Sequence, residues 1–162
     1  MNNYLKLNKL IVSFFGIGFL KGGGTLVSIL TFFICDFFLQ KLSLLKIVCL
    51  FIVFLILSVI LINFDLKKTS KKDPSYIVLD EICGYLLGFI LLKYFLIEFL
   101  NVLFLILFRY FDIYKPFFIK KIEFLSGYNG VILDDFLAAF YAFIFLFAFR
   151  FIFFKFFFFF SY

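Results

Sequence analysis

The sequence predicts an all-α fold, a multi-helix integral membrane bundle with a polar site at the cytoplasmic ends of its helices. Three observations predict it. Of 162 residues, 66% are hydrophobic and only 16% charged, against roughly 45–50% and 25% in a soluble domain. Residues 47–64 carry no charge at all, and at ~1.5 Å per residue such a helix crosses most of a ~30 Å hydrocarbon core. The lysines fall between apolar runs instead of forming one face, so the formal charge of +6 suits lipid headgroups and not nucleic acid. Helix is expected nearly throughout, because lipid-facing backbone must satisfy its own hydrogen bonds. No internal repeat is evident, and residues 1–162 read as one membrane-embedded domain.

In chain order, Lys6 and Lys9 precede an apolar stretch over 10–20 that imitates a secretory signal. Gly16 and Gly18 interrupt that stretch and no A-x-A-like site follows, so cleavage is not expected. Gly22, Gly23 and Gly24 then form a turn that is either a simple helix break or a place where backbone amides approach an anion. Thr25 is placed to cap the helix that follows. Residues 25–39 are apolar but carry Asp36, which fits a helix packed against neighbours. Lys41 and Lys46 mark a turn before the uncharged span. Lys67, Lys68, Lys71 and Lys72 crowd the next loop, which the positive-inside rule assigns to the cytoplasm.

Residues 82–108 read either as one long tilted span or as a hairpin turning near Lys93. The choice matters, because only the hairpin brings Glu81 and Arg109 to the same end. Lys115, Pro116, Lys120 and Lys121 form an interfacial connection, and Asp134 with Asp135 opens a last apolar segment over 136–149.

Composition narrows the chemistry. Histidine is absent, which removes Ser-His-Asp and Cys-His catalysis and most zinc sites. Cys35, Cys49 and Cys83 lack CxxC spacing and are odd in number, so they read as free buried thiols. Phenylalanine reaches 33 residues while tryptophan is zero, a skew attributable to an AT-rich, reduced bacterial genome, and the run 156–160 reads as that bias.

Five of the ten acids fall in three compact groups: Asp80 with Glu81, Asp112 between Arg109 and Lys115, and Asp134 with Asp135. A charge at the centre of a bilayer helix costs roughly 2.5–3.5 kcal/mol, so such acids must reach water or hold something cationic. Paired carboxylates suit hard divalent ions such as magnesium. Two plainer readings stand beside this. Acids at helix starts gain about 0.3–1 kcal/mol from the macrodipole, and Arg109, Asp112 and Lys115 at i, i+3, i+6 can be local ion pairs. The same helical face can equally hold an anionic headgroup. Pro116 disfavours helix at Lys115 and turns that side chain away from the face.

The order of motifs resembles the phosphatidylglycerophosphatase A family. The resemblance rests on Ser75-Tyr-Ile-Val-Leu-Asp-Glu-Ile-Cys-Gly84, on Arg109-Tyr-Phe-Asp-Ile-Tyr-Lys-Pro116 and on Gly127-Tyr-Asn-Gly-Val-Ile-Leu-Asp-Asp135. The stretch from Gly16 to Ser28 is similar to the family's amino-terminal motif. Three departures accompany it: Lys21, Gly22 and Gly23 stand where prolines are usual, in a loop one residue shorter; Val27 replaces a small residue; and Phe118 replaces a second proline.

The resemblance implies magnesium-dependent hydrolysis of the phosphate monoester of phosphatidylglycerophosphate at the bacterial inner membrane, with the active site facing the cytoplasm. It implies metal ligation by Asp80, Glu81, Asp134 and Asp135, phosphate contacts from Arg109 and Lys115, and headgroup contact at Thr25. Asp112 would orient Arg109 and Lys115 or join the metal shell. The competing reading is a noncatalytic membrane subunit of a transporter or assembly complex, whose acids cap helices. An alcohol phosphotransferase is disfavoured by the missing DG-x-x-AR pattern, and DxDxT and C-x5-R phosphatase signatures are also absent.

Overall fold

A computed structural model describes residues 3–69, 74–116, 119–122 and 127–159. Lys71, Lys72, Phe118 and Phe160 lie outside them. The described residues are helical and contain no strand: α1 (Asn3–Val12), α2 (Gly23–Phe37), α3 (Leu44–Leu66), α4 (Leu79–Tyr94), α5 (Asn101–Tyr114), the short α6 (Ile119–Ile122) and α7 (Tyr128–Phe159).

Three segments are long and apolar enough to cross a membrane, Gly23–Lys41, Leu44–Leu66 and Tyr128–Phe151. In α3 the inward residues Ile47, Phe51, Ser58, Ile62 and Asp65 recur at intervals of three, four and seven, which is one helical face. Its other faces expose Leu50, Ile52, Val53, Ile56, Leu57 and Ile60. An apolar surface of that extent needs lipid against it.

The apolar stretch over 10–20 is not one helix. Phe14, Phe15 and Gly16 all have positive φ, so the chain reverses after α1. Asn8 of α1 donates to the Leu61 carbonyl and to Asp65 Oδ1 of α3, both at 3.3 Å. The Tyr76 hydroxyl donates to Asp65 Oδ2 at 2.6 Å. Burial, and then the Asp65 carboxylate, push the Tyr76 phenol up to about 12, so it remains a donor at neutral pH. The backbone N–H of Val78 donates to the Val12 carbonyl at 3.0 Å. These bonds tie the end of α3 and the lead into α4 to one another.

Residues 82–108 form the hairpin. α4 ends at Tyr94, Leu96 takes a left-handed conformation at φ 54°, and α5 begins at Asn101. The reversal therefore falls just after Lys93. With 16 and 14 residues, the two helices are about 24 and 21 Å long, too short for each to cross a bilayer alone. Tyr85 joins them, its hydroxyl donating to Asn101 Oδ1 at 2.7 Å and its ring meeting Phe104 and Phe108 edge-on.

α7 covers α4 and α5. Its inward face carries Asp135, Ala138, Ala139, Ala142 and Leu146, and opposite it α4 presents Gly84. A β-carbon on Gly84 would lie 2.9 Å from Asp135 Cβ and 3.0 Å from its carbonyl oxygen, so the two backbones touch. One turn on, Gly88 admits the Phe104 ring where a β-carbon would collide with it. Small residues spaced four apart allow this close approach of helices in lipid. Cys35 and Cys83 are buried, whereas Cys49 is exposed on α3, and all three thiols are free.

Gly88→Ala should force α5 away from α4 and lower stability by about 1–3 kcal/mol, the usual range for overpacking. Thermal unfolding of the detergent-solubilised variant measures the loss.

Candidate metal and phosphate site

The hairpin and the α4–α7 contact gather the acids at one end of the bundle. Asp80 and Glu81 occupy the first turn of α4. The N-cap residue there is Val78, with no side-chain cap bond, so neither acid is the cap, and both stand in the first turn, where the macrodipole favours negative charge. Asp134 and Asp135 lie in the second turn of α7, which begins at Tyr128. Helix-end capping therefore gives no account of that pair.

One oxygen from each of Asp80, Glu81 and Asp135 lies within 4.8 Å of the others. Asp80 and Asp135 are buried and Glu81 half-buried. The Asp135 carboxylate also faces those of Asp112 and Asp134. Glu81 Oε2 and Asp135 Oδ1 are shielded from solvent and accept no hydrogen bond among the described residues. Carboxylates left so close together in a dry site must take up protons or a cation. The donors are all oxygen, which suits a hard divalent ion, and Glu81 and Asp135 each keep a buried oxygen that accepts no hydrogen bond among the described residues. The residues present therefore fit a metal.

The cations flank this cluster. Arg109 Nη1 pairs with Asp112 Oδ2 at 2.6 Å, one turn away on α5, and reaches Ser28 Oγ on α2 at 3.5 Å. Ser28 in turn donates to the Gly24 carbonyl at 2.9 Å. Lys115 follows the end of α5 with φ 42°, a left-handed turn that carries its side chain off the Arg109–Asp112 face. Its Nζ pairs with Asp134 Oδ2 at 2.6 Å. Asp112 thus holds Arg109, while Asp134 holds Lys115.

The four acids Asp80, Glu81, Asp134 and Asp135 do not form one symmetric cage. Adjacent residues on a helix point about 100° apart, so Asp135 faces α4 while Asp134 turns toward Lys115. The spacing of the sequence alone did not distinguish the two.

The glycine turn enters differently from its sequence reading. α2 starts at Gly23, capped by Gly22 at φ 79° without a side-chain bond, so Thr25 sits inside the first turn and does not cap it. Gly24 is the residue that meets the site. A β-carbon there would collide with Glu81 Oε1 and stand 3.3 Å from Arg109 Nη2. Glu81 and Arg109 are therefore neighbours over the Gly24 face of α2. The sequence reading offers Gly24 only for its backbone amide and gives Ser28 no role of its own, although their i, i+4 spacing puts them on one helical face.

Five carboxylates against Arg109 and Lys115 leave the cluster short of positive charge. In chelator, Asp135→Asn should raise the melting temperature by several degrees, since it removes one buried repulsion. Wild type should gain stability on adding millimolar magnesium, by about 2.7 kcal/mol if that is a hundredfold above Kd, and Asp135→Asn should lose most of that gain. Differential scanning fluorimetry with and without magnesium reads both effects; an unchanged magnesium shift in the variant would remove Asp135 from the ligand set.

Comparison with known proteins gives these residues a context. A protein of Bacteroides thetaiotaomicron, carried under the provisional name of a phosphatidylinositol-3-phosphatase, is 35% identical over 86 residues, covering 49% of this chain and 50% of that relative. The chain thus matches about half the length of that protein. No solved structure matches. The family model for phosphatidylglycerophosphatase A matches residues 10–150, a stretch that includes every acid and cation of the cluster. The chain belongs to the phosphatidylglycerophosphatase A family.

Proposed function

We propose that the chain is a magnesium-dependent phosphatase that hydrolyses the terminal phosphate monoester of phosphatidylglycerophosphate, yielding phosphatidylglycerol and inorganic phosphate for phospholipid synthesis. The observation that carries this reading is the convergence of Asp80, Glu81 and Asp135 beside Arg109, within a family of lipid phosphatases. The relative's provisional name concerns a different phospholipid but is likewise that of a phosphatase.

Asp80, Glu81 and Asp135 would hold the metal, with Asp134 completing its surroundings through the bonded Lys115. When bound, the metal supplies Lewis-acid charge and lowers the pKa of a coordinated water. The remaining work falls to this chain's own side chains. Arg109 offers a planar fork of donors to phosphate oxygens, and the 2.6 Å bond to Asp112 holds that fork in place before substrate arrives. Lys115 brings a second positive charge from the side of α7. Hydrolysis of a phosphate monoester depends chiefly on such positioning and charge neutralisation, and none of these roles requires an imidazole. Thr25, half-buried in the first turn of α2, is the residue we assign to the rest of the headgroup.

We place this chain in the bacterial inner membrane as a multi-pass protein, with the site toward the cytoplasm. Lys67 and Lys68 follow α3 at the end of the bundle that also carries Asp80, and the positive-inside rule assigns that end inward.

Purified protein given phosphatidylglycerophosphate should release phosphate only with magnesium present. Asp80→Asn and Asp134→Asn should each cut the rate by at least about 100-fold, a transition-state loss of ~2.7 kcal/mol, while unfolding at temperatures near that of wild type. Full activity in either variant would sink the assignment of that residue.

A further inference from the structure

An apolar groove of about 280 Å³ lies between α2 and α3. These helices follow one another in sequence, yet each packs on α4 and they hardly touch each other. Ile82 and Leu86 of α4 form the floor, with Thr31 and Ile34 of α2 and Ile47 and Phe51 of α3 among the walls. Thr31 is the one lining residue with a polar side chain, and its hydroxyl is turned back onto the Val27 carbonyl at 2.8 Å. On the rims, Ile34 and Leu50 are exposed in the segments that face lipid. The floor begins at Ile82, the residue after Glu81.

The occupant is constrained by these facts. It must be apolar and arrive from the bilayer. The wall from Ile47 to Phe54 is about 10 Å long, a length a hydrocarbon chain can follow, and a helix from a second copy is an outcome the crosslinks below distinguish. Two lining residues stand next to the acidic cluster: Ile82 directly follows Glu81, and Thr31 lies one turn beyond Ser28, which Arg109 reaches at 3.5 Å, so an occupant of the groove has its polar end near that cluster.

We infer that this groove seats one acyl chain of the phospholipid substrate, which reaches the site sideways between α2 and α3 with its phosphate at Arg109. The inference rests on the lipid phosphatase reading above. It makes chain length a determinant of affinity separate from headgroup chemistry, because each buried methylene contributes about 0.8 kcal/mol.

Ile34→Trp and Leu50→Trp place bulk at the groove mouth without touching the acids. Each should raise KM for a dioleoyl substrate in mixed micelles by about tenfold or more, and leave kcat/KM for its water-soluble dibutanoyl counterpart unchanged. A second measurement does not depend on turnover: diazirine-acyl phosphatidylglycerol in phosphatidylethanolamine vesicles should crosslink to residues of the 31–34 and 47–54 segments, and Ile34→Trp should suppress this. If wild type hydrolyses neither substrate, the phosphatase reading fails, and the crosslinks still decide the groove. Unchanged KM in both variants would overturn the inference, as would crosslinks spread evenly over the lipid-facing helices or crosslinks between two copies of the chain at Ile34.

Discussion

The backbone contact between α4 and α7 at Gly84 is the constraint on which the rest of the structure depends. Without a side chain at Gly84, Asp135 comes to within van der Waals distance of the α4 backbone, about one turn from Asp80 and Glu81. Four buried or half-buried carboxylates are thereby set in two neighbouring helices. Hydrophobic attraction between helices is weak in lipid, so packing of small residues must supply the association. The alanines at 138, 139 and 142 extend that close packing away from the acids, where it is not opposed by repulsion.

The acidic cluster therefore sets stability against function. Asp135 faces Asp112, Glu81 and Asp134, an arrangement that costs free energy until a cation arrives. Arg109 and Lys115 offset part of it, through short ion pairs with Asp112 and Asp134. The central oxygens of Glu81 and Asp135 remain uncommitted. A site built only for structural stability would have closed them with donors.

Much of this was legible in the sequence, and the remainder has definite physical reasons. The membrane bundle followed from composition and the uncharged α3 segment. The Arg109–Asp112 pair followed from i, i+3 spacing on a helix. The hairpin remained open because 82–108 is nearly continuous apolar, broken only by Lys93, Glu98 and Asn101, and hydropathy carries no signal for a reversal made by Leu96 at positive φ. The partition of Asp134 from Asp135 depends on the rotation of α7 relative to α4, which only tertiary packing sets. Thr25 as a helix cap failed for a local reason: Gly22 already supplies the left-handed residue, and the helix begins two positions earlier. The phenylalanines divide between roles, since Phe104 and Phe108 are fully buried in the core while Phe33, Phe37 and Phe149 face outward. Composition bias alone does not account for the inward ones, because Gly88 is shaped to Phe104.

The missing histidine and the short hairpin belong together. Imidazole can switch charge near neutrality and work in isolation, whereas carboxylates and guanidinium groups act by fixed charge and need one another at close range. Under the phosphatase function proposed above, acids and cations from several helices must therefore converge. In a bilayer such convergence is favourable only at helix ends, where headgroups and water are near. α4 and α5 meet this condition by turning back after 16 and 14 residues, so that Glu81, Arg109 and Asp112 return to one end. α7 completes the set from that same end, and the apolar groove between α2 and α3 opens beside it. The topology of the chain follows from a chemistry that has no single versatile residue to rely on.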